Sequence, residues 1–332
     1  MDREQEEMQF LGLFGVFTES FKIISSWRKI FSQITLTLIL PLSFIYLLHI
    51  EVTNLLLHKI FNNAEEMSFT PLGSPRYEKL SDLISSEWAT FWLFKIFYFT
   101  VLLIFSLLST SAVVYTVASI YTARDVTFRK VMSVVPKVWK RLMVTFLCVS
   151  AAFIAYHIIL FLVVFTWAVT IGSTKAGIAV LVILIILFFA GFVYLTIIWQ
   201  VASVLSVLEE SYGVQAMKKS KELIKGKMGL AIVIFLMLNV TFILIQVLFK
   251  AVVVTGWKLG SVDRIAYAML CFLLLSVFFL FGLVIQTVLY FVCKSYHHEN
   301  IDKSALSDHL EAFLGEYVPL KARDVQLEQY HV

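Results

Sequence analysis

Five polar side chains interrupt the long apolar runs of this sequence, and they are the residues best placed to do chemistry inside a membrane. They are His157, Gln200, Asn239, Gln246 and Gln286. Amide side chains can tie neighbouring helices together by hydrogen bonds, or they can line a hydrated path through a bundle. No Asp, Glu, Lys or Arg lies near the centre of an apolar run, which argues against a proton-coupled or cation-coupled transporter. We favour interhelical ties for the four amides and a packed, non-ligating His157.

Motifs for catalysis or cofactor binding are absent from the sequence. There is no glycine-rich phosphate loop, no HExxH zinc motif and no GxSxG nucleophile elbow. His297, His298 and Glu299 form the one compact group with metal-ligand chemistry, but they are consecutive, and no second ligand pair lies at structural-zinc spacing. We therefore predict no catalytic residue, no metal site and no cofactor, and a protein that is not an enzyme.

Basic residues cluster in three segments, 17–30, 126–141 and 212–228, each of which precedes an apolar run. In 126–141 the apolar residues recur at helical spacing and the basic residues take the other side. Such a helix gains from burying its apolar face in the membrane interface and from anionic headgroups. The candidate membrane-surface residues are Lys22, Arg28, Lys29, Arg129, Lys130, Lys137, Lys140, Arg141, Lys218, Lys219, Lys221, Lys225 and Lys227. The alternative is that these residues serve only topology and packing.

Composition places the chain among membrane proteins. Of its 332 residues, 60% are apolar and 15% aromatic, and the mean hydropathy is +0.86, which is outside the soluble class. Uncharged runs long enough to cross a hydrocarbon core of about 30 Å occur six times. They cover residues 30–50, 96–123, 142–174, 176–208, 228–249 and 265–293. The third and fourth runs exceed one crossing, so we expect them to tilt or to continue as helix past the headgroups.

The predicted fold is all-α: a polytopic bundle of six transmembrane helices with three basic amphipathic interfacial helices. Each interfacial helix precedes two spans, which makes three helix-plus-hairpin repeats. Residues 1–293 form the membrane domain, and 294–332 form a cytosolic C-terminal tail with one expected helix at 303–314. Residues 51–87, between the first two spans, are rich in Pro, Gly, Ser and charge, which predicts a loop with a short helix near 77–85.

The distribution of basic residues predicts the orientation of the chain. Segments 1–29, 124–141, 218–227 and 294–332 carry 19 of the 27 Lys and Arg residues, and the positive-inside rule puts that side, with both termini, in the cytosol. The N-terminus is acidic and lacks a signal-peptide cleavage site. We therefore expect a multi-pass protein of the endoplasmic reticulum or of a later endomembrane compartment.

The three cysteines, Cys148, Cys271 and Cys293, fall in or beside apolar runs. Their spacing indicates small core residues and no disulfide framework. Cys293 adjoins Lys294 at the end of a span, where palmitoylation is the alternative.

A resemblance to known proteins rests on three phrases: LEESYGVQAMKKSKELIKGK, VLYFVCKSYHHENID and GEYVPLK. Over most of its length the chain resembles a plant family of uncharacterised six-span membrane proteins, some of them labelled polyadenylate-binding-protein-binding. More distantly, the basic helix with Ser220 and Leu223 looks like the membrane region of some bacterial glycerophosphodiester phosphodiesterases. The resemblance implies a fold and a plant source, and it implies no catalytic activity because this chain has no partner catalytic domain.

Two functions from different classes fit these observations. The first is a non-enzymatic endomembrane scaffold or adaptor, which the lack of buried charge favours. The alternative is a transporter or lipid-handling protein that uses the bundle interior, which a cavity reaching Gln200, Gln246 and Gln286 would favour. The expected partners are the lipid bilayer, anionic headgroups among its components, and a protein bound through the cytosolic loops or tail. Nucleic acid is not expected to bind directly.

Overall fold

The computed structural model describes residues 8–122, 126–172, 174–256 and 260–297. Its helices, in chain order, are α1 (Leu13–Ser26), α2 (Arg28–Ser68), α3 (Pro75–Tyr121), α4 (Phe128–Thr170), α5 (Lys175–Leu208), α6 (Val214–Leu223), α7 (Met228–Val254) and α8 (Ser261–Tyr296). The tail helix expected at 303–314 lies outside the described residues, as do His298 and Glu299.

The helices α2, α3, α4, α5, α7 and α8 are long and apolar enough to cross a membrane. This confirms the prediction of an all-α, multi-pass membrane protein with six spans. Several helices are much longer than a bilayer requires, since the 47 residues of α3 and the 43 of α4 extend about 70 and 64 Å against a hydrocarbon core of about 30 Å. The third span, α4, therefore continues as helix well beyond the bilayer.

The main buried core lies at one end of the bundle, which we call the basic end because α6 and the start of α4 lie there. Residues such as Val135 and Leu205 are fully buried in this core. In the other half of the same helices, apolar side chains such as Phe161, Ile186 and Leu274 face outward. Outward-facing apolar side chains fit contact with lipid tails, so the bilayer surrounds that half of the bundle. The basic end forms a compact layer of protein next to it.

The segment between the first two spans is helical, which corrects the predicted loop at 51–87. Helix α2 continues to Ser68, and α3 starts at Pro75. The turn occupies only 69–74, where Gly73 has a φ of +79° and Ser74 Oγ accepts a hydrogen bond from Tyr77 N at 3.2 Å, the N-cap of α3. Most polar residues of 51–87 are exposed, and Asn63 Nδ2 donates a hydrogen bond to the buried Glu87 across the two helices at 2.9 Å.

The three basic segments pack part of their apolar faces against the protein. Residues 126–141 are not a separate helix but the start of α4, with Pro136 inside it. The predicted apolar face packs in the main core, with Phe128, Val131, Met132, Val135, Val138 and Trp139 all contributing. Helix α6 likewise buries Ala216 and Leu223. Helix α1 buries Val16 and Ile23 but leaves Phe14 and Phe21 exposed on its outer side.

Two of the spans contain a π-helical turn. In α2 it covers Thr35–Ile39 and ends two residues before Pro41, and in α7 it covers Lys250–Val254. Proline cannot donate a main-chain hydrogen bond, and a wider turn is one way to accommodate the change in hydrogen bonding before it.

Candidate functional site

Gln286 of α8 ties that helix to α5. Its side-chain Nε2 donates hydrogen bonds to the main-chain oxygen of Gln200 and, at 2.8 Å, to Ser203 Oγ. Ser203 Oγ in turn donates to the same Gln200 oxygen at 2.7 Å. The interhelical tie predicted for Gln286 is therefore present, and the main chain of Gln200, rather than its side chain, receives it.

Several polar atoms beside this tie have no partner among the described residues. The side-chain amide of Gln200 makes no hydrogen bond there. Asn239 Nδ2 donates to Phe235 O at 2.8 Å, so Asn239 Oδ1 stays available, as does Gln286 Oε1. Because both amide nitrogens bond to main-chain carbonyls, the two oxygens must be the free acceptors. We call Gln200, Asn239 and Gln286 the amide cluster.

The amide cluster opens into two clefts. The α7 cleft, of about 230 Å³, lies between α5, α7 and α8, and all three cluster residues line it together with Phe242 and Phe279. The α3 cleft, of about 350 Å³, lies between α3, α4, α5 and α8, and Gln200 and Gln286 line it. No ionisable side chain lines either cleft within the described residues. The site therefore offers uncharged hydrogen-bonding groups in mainly apolar surroundings.

Two of the five predicted polar residues lie away from this cluster. Gln246 is half-buried on α7 and lines neither cleft. It is seven residues beyond Asn239, which puts it on the same helix face but about 10 Å further along the axis. His157 is exposed on α4, where its Nδ1 lies 2.7 Å from Phe153 O and its ring packs edge-on against Phe188. Neither residue contributes to the clefts.

Position along α8 places the amide cluster near one boundary of the bilayer. Gln286 lies about 33 Å along the helix from Arg264 and about 12 Å from Lys294. A hydrocarbon core of about 30 Å, or 40–45 Å with the headgroups, fits between those two charged residues. With the core centred between those two residues, Gln286 lies just inside the edge of the hydrocarbon on the basic side.

A second feature, the Glu209 clamp, lies beyond the cluster at the basic end. Glu209 directly follows α5. Its Oε1 accepts hydrogen bonds from Tyr290 Oη at 2.7 Å and Lys294 Nζ at 2.8 Å, both on α8. Its Oε2 accepts from Lys219 Nζ of α6 at 2.6 Å. One carboxylate therefore joins three helices.

The clamp controls the ionisation of Glu209. Burial alone would raise the pKa of this carboxyl, but hydrogen bonds from Lys219 and Lys294, the charge of Lys294 and the hydrogen bond from Tyr290 outweigh that effect. The pKa of Glu209 consequently lies below its usual range. Glu209 stays ionised at neutral pH, and the ion pairs stay intact.

Further buried hydrogen bonds hold α6 and the turn before it. Ser220 Oγ donates to Ile198 O of α5 at 2.8 Å. The main-chain nitrogen of Gly213, the residue that precedes α6, donates to Thr145 Oγ1 of α4 at 2.8 Å, and that hydroxyl also contacts Ser206 Oγ at 2.7 Å. Helix α6 begins after Gly213. Its position is therefore fixed against both α4 and α5.

The predicted membrane-surface residues divide into two groups in the structure. Nine of them are exposed: Lys22, Arg28, Lys29, Arg129, Lys137, Lys140, Lys218, Lys221 and Lys225. The other four, Lys130, Arg141, Lys219 and Lys227, are half-buried. Lys219 serves the clamp, and Lys227 lies 5.0 Å from the ring centre of Tyr296. Most of the predicted surface residues are thus accessible, but Lys219 of α6 binds Glu209 within the protein.

Sequence reasoning missed the partners that complete both features. Ser203, Tyr290 and Lys294 are separated from their partners by tens of residues, and only spacing at four-residue intervals on α8 links Gln286, Tyr290 and Lys294. Near the opposite end, Lys95 Nζ lies 2.7 Å from His49 Nε2 and 3.0 Å from Thr53 Oγ1, a polar contact between α2 and α3 that was not predicted. Cys293 is fully buried, which leaves its thiol inaccessible to acylation in this structure.

Comparison with known proteins gives a family and no function. A family described as a domain of unknown function (DUF8558) matches residues 1–330. The chain belongs to the DUF8558 family. No curated protein and no solved structure matches it.

Proposed function

We propose that this DUF8558 protein is a non-enzymatic lipid-handling protein that binds a membrane lipid at the amide cluster. The observation that supports this proposal is the side-chain amide of Gln200, which has no hydrogen-bond partner among the described residues and lines both clefts. Leaving a polar group without a partner in apolar surroundings costs about 1–3 kcal/mol. A ligand with a complementary polar group would recover that free energy.

A lipid fits the α7 cleft better than a water-soluble molecule does. The α7 cleft has about 230 Å³, below the roughly 300–1,000 Å³ of pockets that enclose a drug-sized ligand. It is open at the bundle surface, where the apolar residues Leu238 and Leu283 are among its lining residues. A lipid could place its polar end in the cleft while its chains remain in the bilayer.

Native mass spectrometry of the full-length protein tests this proposal. We expect one tightly held lipid per chain after extraction in a mild detergent, and loss of that lipid in the triple variant Gln200→Leu, Asn239→Leu, Gln286→Leu. The matched control is Gln246→Leu, which changes a glutamine of α7 that lines neither cleft. A wild-type protein that carries no lipid, or a triple variant that keeps it, would contradict lipid handling at this site.

The scaffold function remains a second proposal, and the Glu209 clamp favours it. The clamp holds α6 in one position, with Lys218, Lys221 and Lys225 exposed at the basic end. A fixed, basic surface of this kind would attract anionic headgroups, at about 1 kcal/mol for each lysine near the membrane surface. We place this end, with both termini, in the cytosol of the endoplasmic reticulum or a later compartment, as the charge distribution predicts.

Lipid clustering around the reconstituted protein tests the surface role. Energy transfer from labelled protein to fluorescent phosphatidylserine should exceed that to fluorescent phosphatidylcholine for the wild type. The excess should disappear in the variant Lys218→Gln, Lys221→Gln, Lys225→Gln. Equal transfer for wild type and variant at physiological salt would sink the electrostatic role.

A further inference from the structure

We propose that the amide cluster recognises the hydroxyl group of an uncharged lipid. This inference rests on the proposed lipid handling and adds the chemical class of the ligand. The chemistry is shared by diacylglycerols and sterols, each of which is uncharged and has one free hydroxyl as its sole hydrogen-bond donor.

The free atoms of the cluster select a group that both donates and accepts. Gln286 Oε1 and Asn239 Oδ1 are acceptors without a donor among the described residues, because each amide nitrogen is already engaged by a main-chain carbonyl. The Gln200 amide offers a donor and an acceptor. A hydroxyl can donate to one of the oxygens and accept from the Gln200 nitrogen. An ester can only accept, so it would leave both oxygens unpaired.

The lining of the clefts also selects against charge. None of the residues that line the α7 cleft is ionisable, and its walls include Phe242, Phe278 and Phe279. Lys219 of α6 and Lys294 of α8 both bond to Glu209. A phosphate drawn into the cleft would lose its hydration without gaining a cationic partner, which is costly.

The depth of the cluster fits a lipid with a small polar group. Gln286 lies about 33 Å along α8 from Arg264, close to the edge of a hydrocarbon core of about 30 Å. A phospholipid headgroup would extend beyond that level towards the basic end. There it would meet the buried core, which includes Leu289 and Tyr290 of α8. A lipid that has a hydroxyl in place of a headgroup ends at the cluster and meets no such obstruction.

Photoaffinity labelling of the full-length protein in phosphatidylcholine nanodiscs tests the hydroxyl. One arm uses a photoactivatable diacylglycerol, and its competitors are unlabelled dioleoylglycerol and the same lipid with the hydroxyl blocked as an acetate. A second arm uses a photoactivatable sterol, with the free sterol and its methyl ether as competitors. In at least one arm we expect the free hydroxyl form to compete about three- to tenfold better than the blocked form for each hydrogen bond lost. The arm that responds identifies the source of the hydroxyl.

Variants separate the cluster from general lipid contact. Labelling of α7 and α8 peptides should fall by a similar factor in Gln200→Leu and in Asn239→Leu, and it should be unchanged in Gln246→Leu. If blocked and free lipids compete equally, or if phosphatidylcholine competes as well as either, the hydroxyl inference is overturned while lipid handling stands. If no lipid protects the cleft peptides in any arm, both proposals are overturned.

Discussion

Lys219 reaches back from α6 to Glu209, and its Nζ lies 2.6 Å from Oε2 of that carboxylate. The two residues flank the turn between α5 and α6, so their contact closes the turn on itself. Because the other carboxylate oxygen bonds to Tyr290 and Lys294 of α8, α6 cannot separate from α5 without exposing charges that are paired in the fold. Loss of the clamp should therefore be measurable as a loss of stability.

Replacing Glu209 by glutamine should destabilise the protein by about 1–3 kcal/mol. Removing one partner of a buried ion pair costs more than that, but Lys219 is 36% exposed, and solvent screens part of the interaction. The thermal midpoint in detergent should fall relative to the wild type. Glu210→Gln is the matched control, since Glu210 is the exposed neighbour, and a drop as large in the control would contradict the clamp.

The clamp also predicts how stability depends on pH. Since the pKa of Glu209 is held below its ordinary value of 4.5, the ionised carboxylate contributes its full stabilisation above about pH 4.5, and that contribution disappears as the pH falls through the folded-state pKa. Midpoints measured from pH 7 to pH 3 should show the wild type approaching Glu209→Gln in acid. A constant difference between the two proteins across this range would show that Glu209 does not titrate with unfolding.

Gly226 should be intolerant of a side chain. It has a φ of +87° in the turn before α7, and a Cβ there would lie 2.3 Å from Cε1 of Tyr296. Gly226→Ala should cost about 1–2 kcal/mol from the backbone conformation alone, with a further steric cost at the ring. Gly229→Ala is the control, because a Cβ at that position meets no atom within 4 Å. Adding Tyr296→Ala to the first variant should recover only the steric part.

Topology is testable with introduced cysteines in a background lacking the three native ones. Lys218 is exposed at the basic end, and Arg76 is exposed at the tip of the α2–α3 hairpin. In sealed microsomes a membrane-impermeant maleimide should label Lys218→Cys directly and Arg76→Cys only after detergent is added. The reverse pattern would invert the orientation that the basic residues predict.

The spans were predictable because a long, uncharged apolar run can be recognised from the local sequence alone. The loop at 51–87 was not, because polar residues on a helix outside the bilayer resemble loop residues in composition. Only the cluster of Pro71, Gly73, Ser74 and Pro75 marked the true turn. The amide cluster was predicted in part: sequence supplied the polar residues but not their depths, which separate Gln246 from Asn239 by about 10 Å on one helix face. Nothing local distinguishes Glu209 from Glu210, since the partners that do so lie on other helices.

The π-helical turn at Thr35–Ile39 determines which way the side chains that follow it in α2 point around the helix axis. A π turn accommodates one residue more than an α-helical turn, and each residue of an α-helix corresponds to about 100° of rotation. Deleting a single residue from this turn, so that the helix becomes regular, would keep the first part of α2 in place against the core. It would turn His49 by about a quarter of a circle relative to Lys95, its partner at 2.7 Å on α3. The extra residue of this turn thus rotates the second part of α2 so that the helix can pack against the core at one end and against α3 at the other.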